Sequence, residues 1–387
     1  MVDVYLITLG LAVSFGLAAT LALLSMSRTV RFSGIFHVAR GIQERPRWGG
    51  AAILLAFAVT PFLASAVSEQ AAGIFEPKSG DFLLFLAACA GIFAIGFLDD
   101  LRLMSTQSRL GVQIAAAVAV YVAGYRLDVI GLPWGPEISL WYFAPVATVV
   151  WVVFFTNAIN LVDGRDGVSS GVSIIAAITL AVIAADAHHP TIALLLIALV
   201  GGTLGLLLFH LPPASVYVGD SGAYVLGFIL GSLSIRASTG ITDAVFVAVP
   251  LMAVGFPILD TGLAVVRRTL HGRHPLRGDQ DHIHHRLEVA GFGPRGLLLV
   301  IYALSAMFAS GALLLHYVHF FPLEMAVLVG TLVVVAAVLT RLGYVLHLWN
   351  SNGVIWLRRR LRWVDADDDL EMEGEALPVL DQQDAEA

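Results

Sequence analysis

The chain has 387 residues, 58% of them hydrophobic and only 13% charged, with a mean hydropathy of +0.84. Soluble domains carry about 25% charged residues, so this composition excludes a soluble globular protein. The net charge of −7 is set by the tail: residues 365–387 hold ten acids and no Lys or Arg, leaving 22 basic against 19 acidic residues elsewhere.

Apolar runs of about 20 residues cross a bilayer as helices. These runs lack the alternation of a membrane barrel. Eleven are predicted, over 4–26, 49–68, 82–98, 111–125, 142–158, 168–185, 191–209, 222–236, 244–265, 297–317 and 323–347. The expected fold class is all-α, a polytopic membrane helix bundle of about 11 transmembrane helices. Residues 4–26 have no basic start and no small-residue cleavage site, so they read as a span and not a signal peptide. Residues 1–350 are expected to form the membrane domain. Residues 351–387, basic and then acidic, are expected to be a disordered tail. The single cysteine, Cys89, excludes an intramolecular disulfide.

Alternating crossings put eighteen basic residues on one side and only Lys78, Arg126 and Arg236 on the other. The positive-inside rule makes the first side cytoplasmic, with the N-terminus outside and the C-terminus inside. Every motif below falls on that cytoplasmic side, although the orientation rests on basic residues alone. Carboxylates at the edge of hydrocarbon are costly and call for a functional reason.

In chain order, the first motif is Arg45-Pro46-Arg47-Trp48-Gly49-Gly50, which opens the second span. Pro and Gly-Gly punctuate a loop-to-helix start. Arg45 reads as a basic lip for phosphates, a charge that also serves as ordinary positive-inside flanking. Asp99 and Asp100 end the third span. Adjacent acids on a helix point in different directions, so they are expected to do different jobs. A carboxylate pair can bind Mg²⁺, and one member can act as a base.

Asn157, Asn160, Asp163 and Asp166 end the fifth span. The last three recur every third residue and share a helical face, while Gly164 and Gly167 let the backbone turn close to a ligand. Gly219-Asp220-Ser221-Gly222 opens the eighth span, where helix N–H groups favour anions. Tyr217, just before it, is an aromatic that stacks on a base or sits at the interface. Asp260 and Arg267 lie two turns apart in and after the ninth span, a spacing compatible with an ion pair. The loop that follows carries Asp281-His282-Ile283-His284-His285-Arg286. With no cysteine nearby, a closed structural zinc site is a poor fit, and His with Arg beside acids suits a diphosphate.

Divalent metal and basic groups at a membrane surface suggest phosphoryl transfer. There is no P-loop pattern. One substrate is then expected in the lipid and the other in the cytoplasm. A secondary transporter would instead place its acids near the midplane of a repeated fold.

Taken in order, Pro-x-x-Gly-Gly, Asp-Asp, Asn-Ala-x-Asn-x-x-Asp-Gly-x-Asp-Gly, Gly-Asp-x-Gly and His-x-His-His-Arg resemble the polyprenyl-phosphate N-acetylhexosamine-1-phosphate transferase family, glycosyltransferase family 4. The likeness runs from Arg45 to Arg286. It implies a bundle of ten or eleven helices in a bacterial inner membrane. It also implies transfer of a sugar-1-phosphate from a UDP-sugar to undecaprenyl or another polyprenyl phosphate, with Mg²⁺ (or Mn²⁺) and release of UMP. Carried over, Asp220 resembles the principal metal ligand, supported by Asp100, and Asp99 the base for the lipid phosphate. Asn157, Asn160, Asp163 and Asp166 would serve the nucleotide and its metal-bound diphosphate, and Tyr217 the uracil. His282, His284, His285 and Arg286 would bind the sugar-diphosphate. The resemblance implies the lipid bilayer and both substrates as partners and no nucleic acid; burial in a membrane is in addition compatible with a homodimer. His-x-His-His-Arg is similar to the branch that uses UDP-N-acetylglucosamine, whereas the muramoyl-pentapeptide branch usually has three adjacent histidines. This chain departs from the family in having Arg165 at an ordinarily apolar position and His210 where Asn is common.

Overall fold

The structure is a computed structural model that describes residues 13, 16–17, 47, 49–75, 79–101, 104–131, 136–239, 244–270, 282–318 and 320–343. Most of the expected first span, most of the first basic loop with Arg45, Asp281 and the acidic tail lie outside the described residues. The chain divides into two compact units. The smaller comprises Gly262–Gln280 and Val335–Ala387. The larger comprises Met1–Thr261 and Asp281–Val334 and holds every site residue discussed below.

The helices are α1 (Gly49–Val67), α2 (Glu69–Ile74), α3 (Gly80–Asp100), α4 (Thr106–Val122), α5 (Ala144–Val162), α6 (Val168–Asp186), α7 (Pro190–His210), α8 (Gly219–Ala237), α9 (Ala248–Ala253), α10 (Gly255–Leu270), α11 (Ile283–Val289), α12 (Pro294–Tyr317) and α13 (Phe321–Arg341). Seven stretches among the described residues are long and apolar enough to cross a membrane: α1, α3, α5 with its preceding turn, α6, α7, α12 and α13. The protein is thus a multi-pass membrane protein. Ser79 and Ser105 start α3 and α4 as N-caps, each accepting the N–H three residues on.

The core is built around α8, which packs against α1, α3, α5, α6 and α7. Every residue of α8 is buried except Asp220 and Arg236. Close packing in a membrane needs small residues, and α8 supplies them. A Cβ on Gly227 would meet the Phe155 carbonyl at 2.6 Å, and one on Gly231 the Phe155 Cβ at 2.7 Å. Trp151 fixes the same interface by donating to the Gly231 carbonyl at 3.1 Å. The buried hub therefore opens on a half-buried carboxylate.

Two expectations need correcting. The protein is not wholly helical: β1 (Val129–Gly131) pairs antiparallel with β2 (Ile138–Ser139) and parallel with β3 (Ala244–Phe246). Strands of two or three residues are too short to give a periodic signal. The ninth span is also not one helix. Pro257 lacks the N–H that would bond to Ala253, and its ring would clash with that carbonyl. The helix accordingly stops at Ala253 and restarts at Gly255.

Candidate active site

One end of the bundle gathers the ends of α3, α5 and α7 with the starts of α1, α6, α8, α11 and α12. Asp100 closes α3 and reaches the start of α8. Its Oδ1 accepts the Asp220 N–H at 3.0 Å and its Oδ2 the Ser221 N–H at 3.1 Å. It thereby caps a helix distant in sequence, satisfying free N–H groups and matching the positive helix end. Arg47 donates to the same carboxylate at 3.3 Å. The capping turn needs glycine: Gly219 has φ +73°, and a Cβ there would meet Asp100 Oδ2 at 2.7 Å. Gly49 and Gly50 donate to the carbonyls of Tyr217 and Val218, both at 3.1 Å. The Gly-Gly pair therefore lets α1 dock on this turn.

Asp99 points elsewhere, as two adjacent helical acids must. Its Oδ2 accepts from Arg109 at 2.5 Å and from the Tyr224 hydroxyl at 3.4 Å. Arg109 is anchored in turn on Thr106 Oγ1 at 3.0 Å. Asp220 stands within electrostatic reach of Asp99 and Tyr224 on one side and of Asp163 on the other.

From α5, Asn160 donates to Asp220 Oδ1 at 2.8 Å. Asp163, just past the helix, accepts from the Ser169 hydroxyl. Burial pushes the Asp163 carboxyl up to about 8, helped by the charges of Asp220 and Asp100. Asp166 accepts the Ala214 N–H at 2.9 Å, fixing the turn after α7. Gly167, at φ +82°, leads into α6 while Tyr302 of α12 donates to its carbonyl at 2.7 Å. Asn157 is committed elsewhere: its amide donates to Gln113 of α4 and to the Val153 carbonyl, both at 2.8 Å.

The histidine segment forms α11. His282 at its N-cap meets Asp260 Oδ2 through Nδ1 at 2.7 Å, and the Ile283 N–H donates to Asp260 Oδ1 at 2.8 Å. Asp260 is thus the anchor of the histidine helix, a role that its spacing from Arg267 did not reveal. His282 and His284 stack at 5.6 Å, and His284 meets His285 at 4.2 Å. The His284 ring lies against Gly164, where a Cβ would approach Nε2 to 2.7 Å. Burial holds His284 down near 4, with the neighbouring His285 adding to the effect, so it is neutral at pH 7. His285 and Arg286 are half-buried.

A cavity of about 560 Å³ opens among these groups, lined by Arg47, Asp163, Asp166, His210, Tyr217 and Asp220 with the intervening backbone. A second, of about 820 Å³, shares Gly164–Asp166 and Tyr217 with the first and extends to Pro212, Glu288 and Arg295. Of the residues singled out from sequence, Asp163, Asp166, Tyr217 and Asp220 line the first cavity. Asn160 and Asp100 support Asp220 from behind, and Asn157 does not line either cavity. Arg47, Arg109, Ser169, Tyr224, Asp260 and Glu288 were not singled out as site residues. For Arg47, Tyr224, Asp260 and Glu288 the signal is long-range pairing, which local spacing cannot carry; Ser169 and Arg109 pair across turns of six and ten residues.

The glycosyl transferase family 4 model matches residues 82–238. A probable undecaprenyl-phosphate N-acetylglucosaminyl 1-phosphate transferase of Bacillus subtilis is 32% identical over 274 residues, covering 70% of this chain and 73% of that protein. The chain belongs to glycosyl transferase family 4. A decaprenyl-phosphate N-acetylglucosaminephosphotransferase of Mycolicibacterium smegmatis is 32% identical, covering 77% of this chain and 78% of its own. A phospho-N-acetylmuramoyl-pentapeptide-transferase of Listeria monocytogenes is 30% identical, covering 66% and 77%. The family 4 segment carries Asp99, Asp100, Asn160, Asp163, Asp166 and Asp220. The histidine helix lies beyond that segment and is joined to it through Gly164 and Arg165.

Proposed function

We propose that this protein transfers N-acetylglucosamine-1-phosphate, or a close N-acetylhexosamine-1-phosphate, from a UDP-sugar to polyprenyl phosphate, releasing UMP. The carrying observation is that Asp163, Asp166 and Asp220 converge on one cavity at the end of the bundle that holds Asp99 and Arg109. The names of the two N-acetylglucosamine-phosphate relatives above support the same reading. The acidic end then faces the cytoplasm of a bacterial inner membrane, the side with eighteen basic residues.

The donor set fits Mg²⁺. Asn160 holds one oxygen of Asp220 and Ser169 one oxygen of Asp163. The second oxygen of each carries no hydrogen bond among the described residues. Mg²⁺ is held by one or two carboxylates and completes its shell with water and phosphate oxygens. Bound there, the ion would neutralise the diphosphate and polarise the phosphorus under attack.

The protein's own groups then have separate tasks. Asp100 and Asn160 hold Asp220 in place. Asp99 receives the proton of the lipid phosphate, and Arg109 beside it holds that phosphate's charge. An acceptor oxygen bonds to the phosphorus bearing the sugar while the bond to the UMP oxygen breaks. Tyr217 stacks on the uracil. His284, neutral, offers a hydrogen bond and not a charge to the sugar-diphosphate. The muramoyl-pentapeptide reaction is the second reading, favoured by the Listeria relative. Purified protein offered labelled UDP-N-acetylglucosamine and UDP-N-acetylmuramoyl-pentapeptide in competition separates them. Label is expected in the lipid from the first, and lipid label from the pentapeptide alone would reverse the assignment.

A further inference from the structure

The turn 163–167 is tied down at five points. Asp163 is held by Ser169, Gly164 by the His284 ring, Asp166 by the Ala214 N–H and Gly167 by Tyr302. The fifth tie differs from these four. Arg165 and Glu288 form a two-pronged ion pair, Nε to Oε1 at 2.5 Å and Nη2 to Oε2 at 2.6 Å. Their side chains are 42% and 39% exposed. His285 Nδ1 faces the same carboxylate at 3.7 Å. Arg165 donates also to the Gly164 carbonyl at 3.2 Å.

Three features point to a role beyond surface solubility. Arg165 sits between two cavity-lining acids and touches both cavities, while Glu288 lines the second. The pair joins the carboxylate turn to the helix that carries His284 and His285. Glycines flank Arg165 on one side directly and on the other after one residue, so this turn has little stiffness of its own. Two-pronged Arg–carboxylate geometry fixes direction as well as distance. An exposed pair is nonetheless cheap to open in water.

We propose that the Arg165–Glu288 pair is a positioning latch for the nucleoside diphosphate-sugar. It sets the spacing between the carboxylate turn and the histidine helix, and so the affinity for that substrate. The substrate assignment rests on the function proposed above, whereas the latch itself is a property of the turn. Neither side chain is required to touch the reacting atoms.

The test uses the full chain in detergent as wild type, Arg165→Leu, Glu288→Gln and the exchanged pair R165E/E288R. Amide hydrogen exchange over residues 163–169 is read alongside kcat and KM for UDP-N-acetylglucosamine and for polyprenyl phosphate. Each single variant is expected to speed exchange in that turn and to raise KM for the UDP-sugar about two- to fivefold, the range an exposed pair carries. The loss is expected to stay out of kcat and the lipid KM, and the exchanged pair is expected to restore both readouts. Unchanged exchange in both single variants would overturn the latch, as would a fall in kcat with the KM for the UDP-sugar unchanged, or an equal rise in both KM values. A wild type that turns over no UDP-N-acetylglucosamine would sink the substrate reading, and exchange in the turn would then decide the latch alone.

Discussion

Asp220 and Asp99 carry the chemistry in this account, and each has supports that survive its own removal. Asp220→Ala is expected to abolish transfer while the thermal unfolding midpoint in detergent stays near wild type. Asp99→Asn is expected to do the same, because Arg109 keeps Thr106 and Tyr224 as partners. Near-normal turnover in either variant would remove that residue from the mechanism. Asp100 is a different kind of acid. Its two oxygens serve the N–H groups that open α8. Asp100→Ala should cost about 1–2 kcal/mol of stability, the usual worth of a lost helix cap, besides disordering Asp220. A loss of activity with unchanged stability would argue for direct chemistry at Asp100. The adjacent-acid argument on the sequence has the two side chains point apart, as they do here, but could not say that one was a cap. A cap supplied by another helix leaves no local trace.

His284 gives a dependence on pH. Its folded-state value lies near 4, below the ordinary 6.5, because burial disfavours the charged ring. Above pH 6.5 the ring is neutral both folded and unfolded, and its burial costs nothing in protonation. As pH falls from 6.5 towards 4, the unfolded chain takes up a proton that the folded chain refuses. Stability should fall across that window. His284→Phe should flatten this part of a stability-against-pH curve, and an unaltered slope would contradict the assignment.

At the level of elements, the glycines divide into two classes. A Cβ on Gly50 would stand 2.5 Å from the Gly222 nitrogen, with backbone on both sides of the contact. Gly50→Ala should therefore cost about 3 kcal/mol. Gly111 in α4 has nothing within 4 Å. Gly111→Ala should be neutral or stabilise by about 0.5–1 kcal/mol, since alanine favours the helix. Thermal unfolding of the two variants in one detergent checks the contrast, and equal effects would refute the docking of α1 on the turn at Gly219. Long apolar elements were legible in the sequence because hydrocarbon demands continuous apolar length. The break at Val254 was less so, since hydropathy runs through it, although Pro257 was the available signal. Asp260 was read against Arg267 by helical spacing. Its partner is His282, which no periodicity within one helix can indicate.

Across the whole molecule, alternation of spans brings Asp100, Asn160, Asp163, Asp166 and Asp220 to one end while α8 stays buried between them. That one-sidedness was legible because it needs only the count of crossings. The site's second tier was not. Arg47 and Glu288 become meaningful once the starts of α1 and α8 and the turn after α5 lie beside the ends of α3 and α11. The measurement that bears most directly on the whole account is a transfer assay on purified protein in detergent. It uses labelled UDP-N-acetylglucosamine, undecaprenyl phosphate and Mg²⁺, with wild type and Asp220→Ala run with and without EDTA. The expected result is label in the lipid phase matched by released UMP, present in wild type with Mg²⁺ and absent in the other three conditions. Metal-independent transfer, or transfer undiminished by Asp220→Ala, would contradict it.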